Sequence, residues 1–177
     1  VVDFEELGLI ELIVEKAKLN PAEPGGKKVP EAMAETIENN MRKVIIDGQP
    51  INPKYYEKMS ELLDALILQR REEAISYAEY LEKVKALAGE ITSSTGSNDY
   101  PASMDNRAKQ SLYDNLDQNE DLVARVDAAI RYTKKADWKG NNFKRRDVEN
   151  AVKEELGAYE VDVDALMNII KSQAEYD

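Results

Sequence analysis

Apolar side chains recur along this chain at spacings of three and four, the pattern of helices that bury one face. From Leu7 the series Leu7, Ile10, Val14 and Ala17 predicts an amphipathic helix ending at Asn20-Pro21. Two prolines and two glycines then fall between Asn20 and Lys28, which predicts a loop. Pro30 stands at a helical entry, where a proline is tolerated because the first amides have no partner. Met33, Ile37, Met41 and Val44 or Ile45 follow at helical spacing as far as Asp47-Gly48-Gln49-Pro50. Asn52-Pro53 repeats the entry signal, with Asn52 as N-cap, ahead of Met59, Leu62, Leu63, Leu66 and Ile67. No Gly or Pro interrupts Lys54 to Ala88, so the run is one long helix or two joined by a bend near Glu72 to Ser76. A second stripe of Leu81, Val84, Leu87 and Ile91 carries the pattern to Thr92.

Ser93 to Pro101, rich in small and polar residues, reads as a flexible linker. Beyond it, Asp105 to Leu116 and Asn119 to Ala136 read as helices, with Asp105 and Asn119 as N-caps. A loop at Gly140-Asn141-Asn142 precedes a helix from Lys144 to Leu156, closed by Gly157. Asp162 or Asp164 caps a last helix through Ile170. Lys43 to Asp47 is compatible with a short strand and equally with a helix end. The expected fold is all-α, a bundle of about seven or eight helices in one body or two lobes. The two-lobe division is an N-terminal lobe at 1–93, a linker at 94–104 and a C-terminal lobe at 105–177.

Length and composition sharpen this. A chain of 177 residues can bury a sizeable core without a staple. With no Cys and no His, zinc-finger frameworks, disulfide scaffolds and Cys- or His-based triads are excluded, and a reducing cytoplasm suits the chain. No apolar run approaches the roughly 18 to 20 residues that span a bilayer, so no membrane association is expected. Val1 to Glu6 has neither an initiator Met nor the features of a signal peptide, from which a fragment of a longer chain is expected.

Candidate chemistry is sparse. Gly25-Gly26-Lys27 is followed by Lys28 where a phosphate-binding loop requires Ser or Thr, so it reads as a surface turn. No Lys has a Glu two residues before it, which removes the Glu-x-Lys arrangement of metal-dependent nucleases, and Asp137-Trp138-Lys139 is only an imitation. Glu35 and Glu38 share a helix face and could hold a cation, although solvated carboxylates are the plainer reading. Arg70-Arg71 beside Glu72-Glu73 reads as an exposed salt-bridging stretch, and Tyr55-Tyr56 and Tyr77/Tyr80 as core-edge rings.

One segment departs from the net charge of -11. Arg131, Lys134, Lys135, Lys139, Lys144, Arg145 and Arg146 stand against Asp137 alone, 7 - 1 = +6, with Tyr132, Trp138 and Phe143 interleaved. Such a composition suits a phosphate backbone or an acidic partner; the plainer alternative is a basic helix end beside a core Trp. The candidate contact residues are Arg131, Lys134, Lys135, Trp138, Lys139, Lys144, Arg145 and Arg146.

The run Glu35-Thr36-Ile37-Glu38-Asn39-Asn40-Met41-Arg42-Lys43, the block Asn52-Pro53-Lys54-Tyr55-Tyr56-Glu57-Lys58-Met59-Ser60 with Leu62-Leu63 to Arg70-Arg71 behind it, and the later Ser111 to Leu116 and Asp137 to Asn141 resemble the C-terminal helical region of type I restriction enzyme R subunits. The resemblance runs from about Phe4 to Tyr176. It implies a bacterial parent subunit with a nuclease domain and two ATPase lobes, a type I site-specific deoxyribonuclease with ATP-dependent translocation. ATP and magnesium would bind only in those other domains. The helical region would dock on the methyltransferase (M) and specificity (S) subunits, and no catalytic, cofactor or metal-binding residue carries over to this chain. Three functions follow as expectations: an assembly segment, a duplex-DNA contact through 131–146, or a free-standing helical adaptor.

Overall fold

The structure, a computed structural model, describes residues 28–92 and 100–177. The helix expected at Leu7 to Ala17, the Gly25-Gly26-Lys27 turn and most of the Ser93 to Pro101 linker lie outside the described residues. Within them the chain is all-α: α1 (Lys28–Gly48), α2 (Pro53–Arg71), α3 (Tyr77–Thr92), α4 (Arg107–Asn115), α5 (Glu120–Thr133), α6 (Asn142–Leu156) and α7 (Val163–Lys171), then a short 3-10 turn at Ala174–Tyr176. No described helix is long and apolar enough to cross a membrane. Lys43 to Asp47 is helical.

The described residues divide into two compact units, one of residues 28–49 and 56–92 and one of 50–55 and 100–177. Residues 50–55, which the apolar pattern places in the first lobe, thus group with the second. The reason lies in Asn52. Its side chain takes the amide of Tyr55 at 3.3 Å, as an N-cap does, and it also donates to Asp114 at 2.7 Å and accepts from Asn115 at 2.8 Å. The main-chain oxygen of Ile51 accepts from Gln173 at 2.7 Å.

In the first unit α1 and α2 run antiparallel, fixed by Arg42 with Asp64 and Glu38 with Arg70. Ile37, Met41 and Val44 of α1, Met59 and Leu63 of α2, and Tyr80, Leu81, Val84 and Ile91 of α3 are buried. The bend anticipated at Glu72 to Ser76 is real: α2 ends at Arg71 and Glu73 adopts φ 54°. Glu38 and Arg70 turn inward. Glu38 accepts from Arg70 at 2.8 Å and from the Tyr80 hydroxyl at 3.0 Å, and the guanidinium lies 5.7 Å from the centre of the Tyr80 ring. Arg70 therefore does not belong to an exposed stretch, and Glu38 is not available as a cation ligand beside exposed Glu35.

The second unit encloses one core, in which Leu112, Leu116, Val126, Ile130, Val148, Val152, Ile170 and Tyr176 meet. Asn119 caps α5 and Asp162 caps α7 through their side chains, while Gly157 ends α6 at φ 54°, a conformation that costs other residues more. The cap of α4 is Asn106, not Asp105: Asn106 has extended backbone and its side chain accepts from the Lys109 amide at 3.0 Å. Asp105 instead pairs with the Lys109 ammonium at 2.9 Å, which holds its carboxyl below the usual range.

Candidate site at the end of the α5–α6 hairpin

The basic stretch closes an antiparallel hairpin. Arg125 near the start of α5 reaches Glu155 near the end of α6 at 3.2 Å, and Lys135 just beyond α5 approaches Asp147 of α6 at 3.6 Å. Between the helices, residues 134–141 turn tightly, with Asp137 at φ 59°, a left-handed conformation that Asp tolerates better than most residues. Asn141 then opens α6 by accepting from the amides of Phe143 at 3.0 Å and Lys144 at 3.1 Å.

Trp138 anchors this turn. Its ring is 1 % exposed and its Nε1 donates to the main-chain oxygen of Tyr176 at 2.6 Å. As a surface contact Trp138 is therefore ruled out in this fold. Burial of a Trp with its N–H satisfied contributes a few kcal/mol, and it pulls the turn down onto the core.

Several basic side chains are committed to the same unit. Arg131 donates to buried Asp127 at 2.9 Å and lies 5.4 Å from the centre of the Tyr176 ring; the hydrogen bond to Asp127 raises its pKa above the ordinary value. Lys139 donates to the Gln173 oxygen at 2.7 Å and to the Asp177 carboxylate, and Lys134 donates to the Asp177 main-chain oxygen. The hydrogen bond from Lys139 is the main reason the Asp177 carboxyl sits below the usual range, and the nearby Lys134 charge adds to it. Lys144 donates to the Ala136 oxygen at 2.7 Å, closing the turn.

Arg145 and Arg146 differ. Neither side chain takes part in a hydrogen bond or ion pair among the described residues; their charge is felt at Glu149, whose carboxyl is lowered first by the hydrogen bond from Lys153 and further by Arg146 and Arg145. Beside them Phe143 is 83 % exposed, and Tyr132 at the end of α5 is 94 % exposed. Phe143 and Arg146 are one helical turn apart on the same face of α6. Trp138 is thus inside, as in the reading of a basic helix end beside a core Trp, while Tyr132 and Phe143 are outside.

Three acids from outside the stretch, Asp127, Asp147 and Asp177, reduce its excess: 7 basic residues against those three and Asp137 leave 7 - 4 = +3. The end of the hairpin remains cationic in an acidic chain, with two exposed rings. Among the described residues no group of three or more His, Cys, Asp or Glu could hold a metal ion. No protein-family model, curated protein or solved structure matches the chain.

Proposed function

We propose that this chain is a non-catalytic docking segment, the C-terminal helical region of a type I restriction R subunit, which joins an ATP-dependent DNA motor to its methyltransferase and specificity subunits. The observation that carries the docking role is on α2. That helix buries Tyr56, Met59, Leu63, Leu66 and Ile67, yet leaves Leu62 42 % and Leu68 55 % exposed, with exposed Ala65 between them. A lone exposed leucine is ordinary. Three apolar residues at steps of three lie side by side as a strip. Covering it would gain about half of the roughly 1.5–3 kcal/mol of a complete leucine burial at each leucine, since about half of each is still exposed.

The identity of the partner is supported by the sequence resemblance. A motor that pulls DNA while its partner stays at a recognition site must pass force through the contact between them, and helices packed as densely as a crystal resist deformation. The test is Leu62→Glu/Leu68→Glu mixed with the cognate methyltransferase-specificity core in size-exclusion chromatography. Loss of the complex with an unchanged circular dichroism spectrum is expected; a variant that docks as the wild type does would refute the role of the strip.

A second reading makes the hairpin end a contact for the DNA backbone. It is favoured by the residual charge, by Phe143 one helical turn from Arg146, and by the exposed Tyr132 at the end of α5. Its mark would be retention on duplex DNA that weakens steeply with salt and is lost when Lys139, Arg145 and Arg146 are replaced by Ala.

A further inference from the structure

We infer that the end of the α5–α6 hairpin binds a single-stranded nucleic acid, with bases stacked on Tyr132 and Phe143 and phosphates held by Arg145 and Arg146. This rests on the second reading above and changes its ligand from duplex to single strand.

The argument starts from what the exposed groups lack. Tyr132 and Phe143 offer ring faces to solvent at 94 % and 83 % exposure, and both belong to helices whose apolar stripes, Val126 to Ile130 and Val148 to Leu156, are buried on the other side. The rings are not core residues that failed to pack; they point away from the core by helical register. In a duplex each base face is covered by its neighbours, so a duplex would meet these rings only with sugar and phosphate. A single strand brings free base faces together with a regular series of anions.

The charges select the same ligand. Arg145 and Arg146 are held by no carboxylate, whereas Lys139 and Arg131 are. Guanidinium groups pair with phosphate oxygens in a fork and also stack on bases. The amides of Phe143 and Lys144 are already taken by Asn141, so the side chains and not the start of α6 must hold the anion. A polyanion would be drawn to this end and repelled by the rest of a chain at -11. The Lys135–Asp147 pair at 3.6 Å links the end of α5 to the start of α6, the two helix ends that carry Tyr132 and Phe143.

The experiment is fluorescence anisotropy of the full chain with a labelled oligothymidylate of about 15 nucleotides, and with the same strand annealed to its complement. The single strand should bind more tightly than the duplex. Tyr132→Ala/Phe143→Ala should weaken oligothymidylate binding at least about tenfold while leaving the helical spectrum unchanged. Arg145→Gln/Arg146→Gln should make the logarithmic salt dependence shallower by about 1.4, two phosphates at about 0.7 each. No binding at low salt, equal affinity for the duplex, or unchanged binding by the ring variant would each overturn the inference. The same variants are mixed with the methyltransferase-specificity core. If the ring variant loses the core while the wild type never binds the oligonucleotide, this end contacts protein: the inference falls and the docking role stands.

Discussion

Removing the carboxylate of Asp127 tests how the second unit holds its closing segment. Asp127 is 6 % exposed and accepts from the Tyr176 hydroxyl at 2.6 Å and from Arg131 at 2.9 Å; Tyr176 is fully buried, and its main-chain oxygen receives Trp138. In Asp127→Ala the tyrosine hydroxyl loses a bond to a charged acceptor, a loss of about 1.5–3 kcal/mol, and remains in the core without a partner. Arg131 can turn to solvent, so its share is within about 1 kcal/mol. The total is about 2–4 kcal/mol, a shift of about 2 M in the urea midpoint if the slope is about 1.5 kcal/mol per molar. Trp138 is the sole tryptophan and lies in this core, so its fluorescence follows the unfolding of the second unit. In the double variant with Tyr176→Phe the orphaned hydroxyl is gone, and the combined cost should fall short of the sum by about 1–2 kcal/mol. An Asp127→Ala cost below about 1 kcal/mol, or effects that add within about 0.5 kcal/mol, would refute the reasoning.

Arg70→Met should destabilise the first unit by about 3 kcal/mol, because Glu38 keeps Tyr80 but loses its buried counter-charge; an unchanged melt by circular dichroism would contradict this. Stability should also fall in alkali. Burial, and then the carboxylate beside each hydroxyl, raises the pKa of Tyr80 and Tyr176 well above the ordinary value, Glu38 acting on the first and Asp127 on the second. Unfolded tyrosine ionises near pH 10 while these folded ones stay neutral, so their contribution is intact below about pH 10 and declines above it by roughly 1.4 kcal/mol per pH unit for each group. Urea unfolding between pH 9 and 11 followed at Trp138 should show the decline, and Tyr176→Phe should reduce it; a flat profile would contradict it. Gly48→Ala would drive a methyl group into the ring of buried Tyr56, so a cost of about 1–3 kcal/mol is expected, and an unchanged melting temperature would show that the ring has room to move.

Much of the helical framework was legible because local signals and burial agree. Asn119, Gly157 and Asp162 sit where capping chemistry puts them, and the break after Arg71 fell within the anticipated window. At Asp105 and Asn106 two capable residues stand side by side, and only the Lys109 contacts decide between them. The outward direction of Tyr132 was recoverable: it lies two residues past Ile130, about 200° around the helix. Phe143, five residues before Val148, is rotated by a similar amount. Trp138 gave no such signal, because it lies in a turn where helical period has no meaning. Nor could sequence foresee Asp177 neutralising Lys139 or Asn52 reaching Asp114, since both depend on contacts between residues far apart in the chain.

The most direct measurement of the docking role is light scattering coupled to size exclusion for this chain mixed with its cognate methyltransferase-specificity core, without DNA, at low and at high salt. A contact made by the Leu62, Ala65 and Leu68 strip is apolar, so co-elution at both salt concentrations is predicted; elution of the chain alone at both would contradict it.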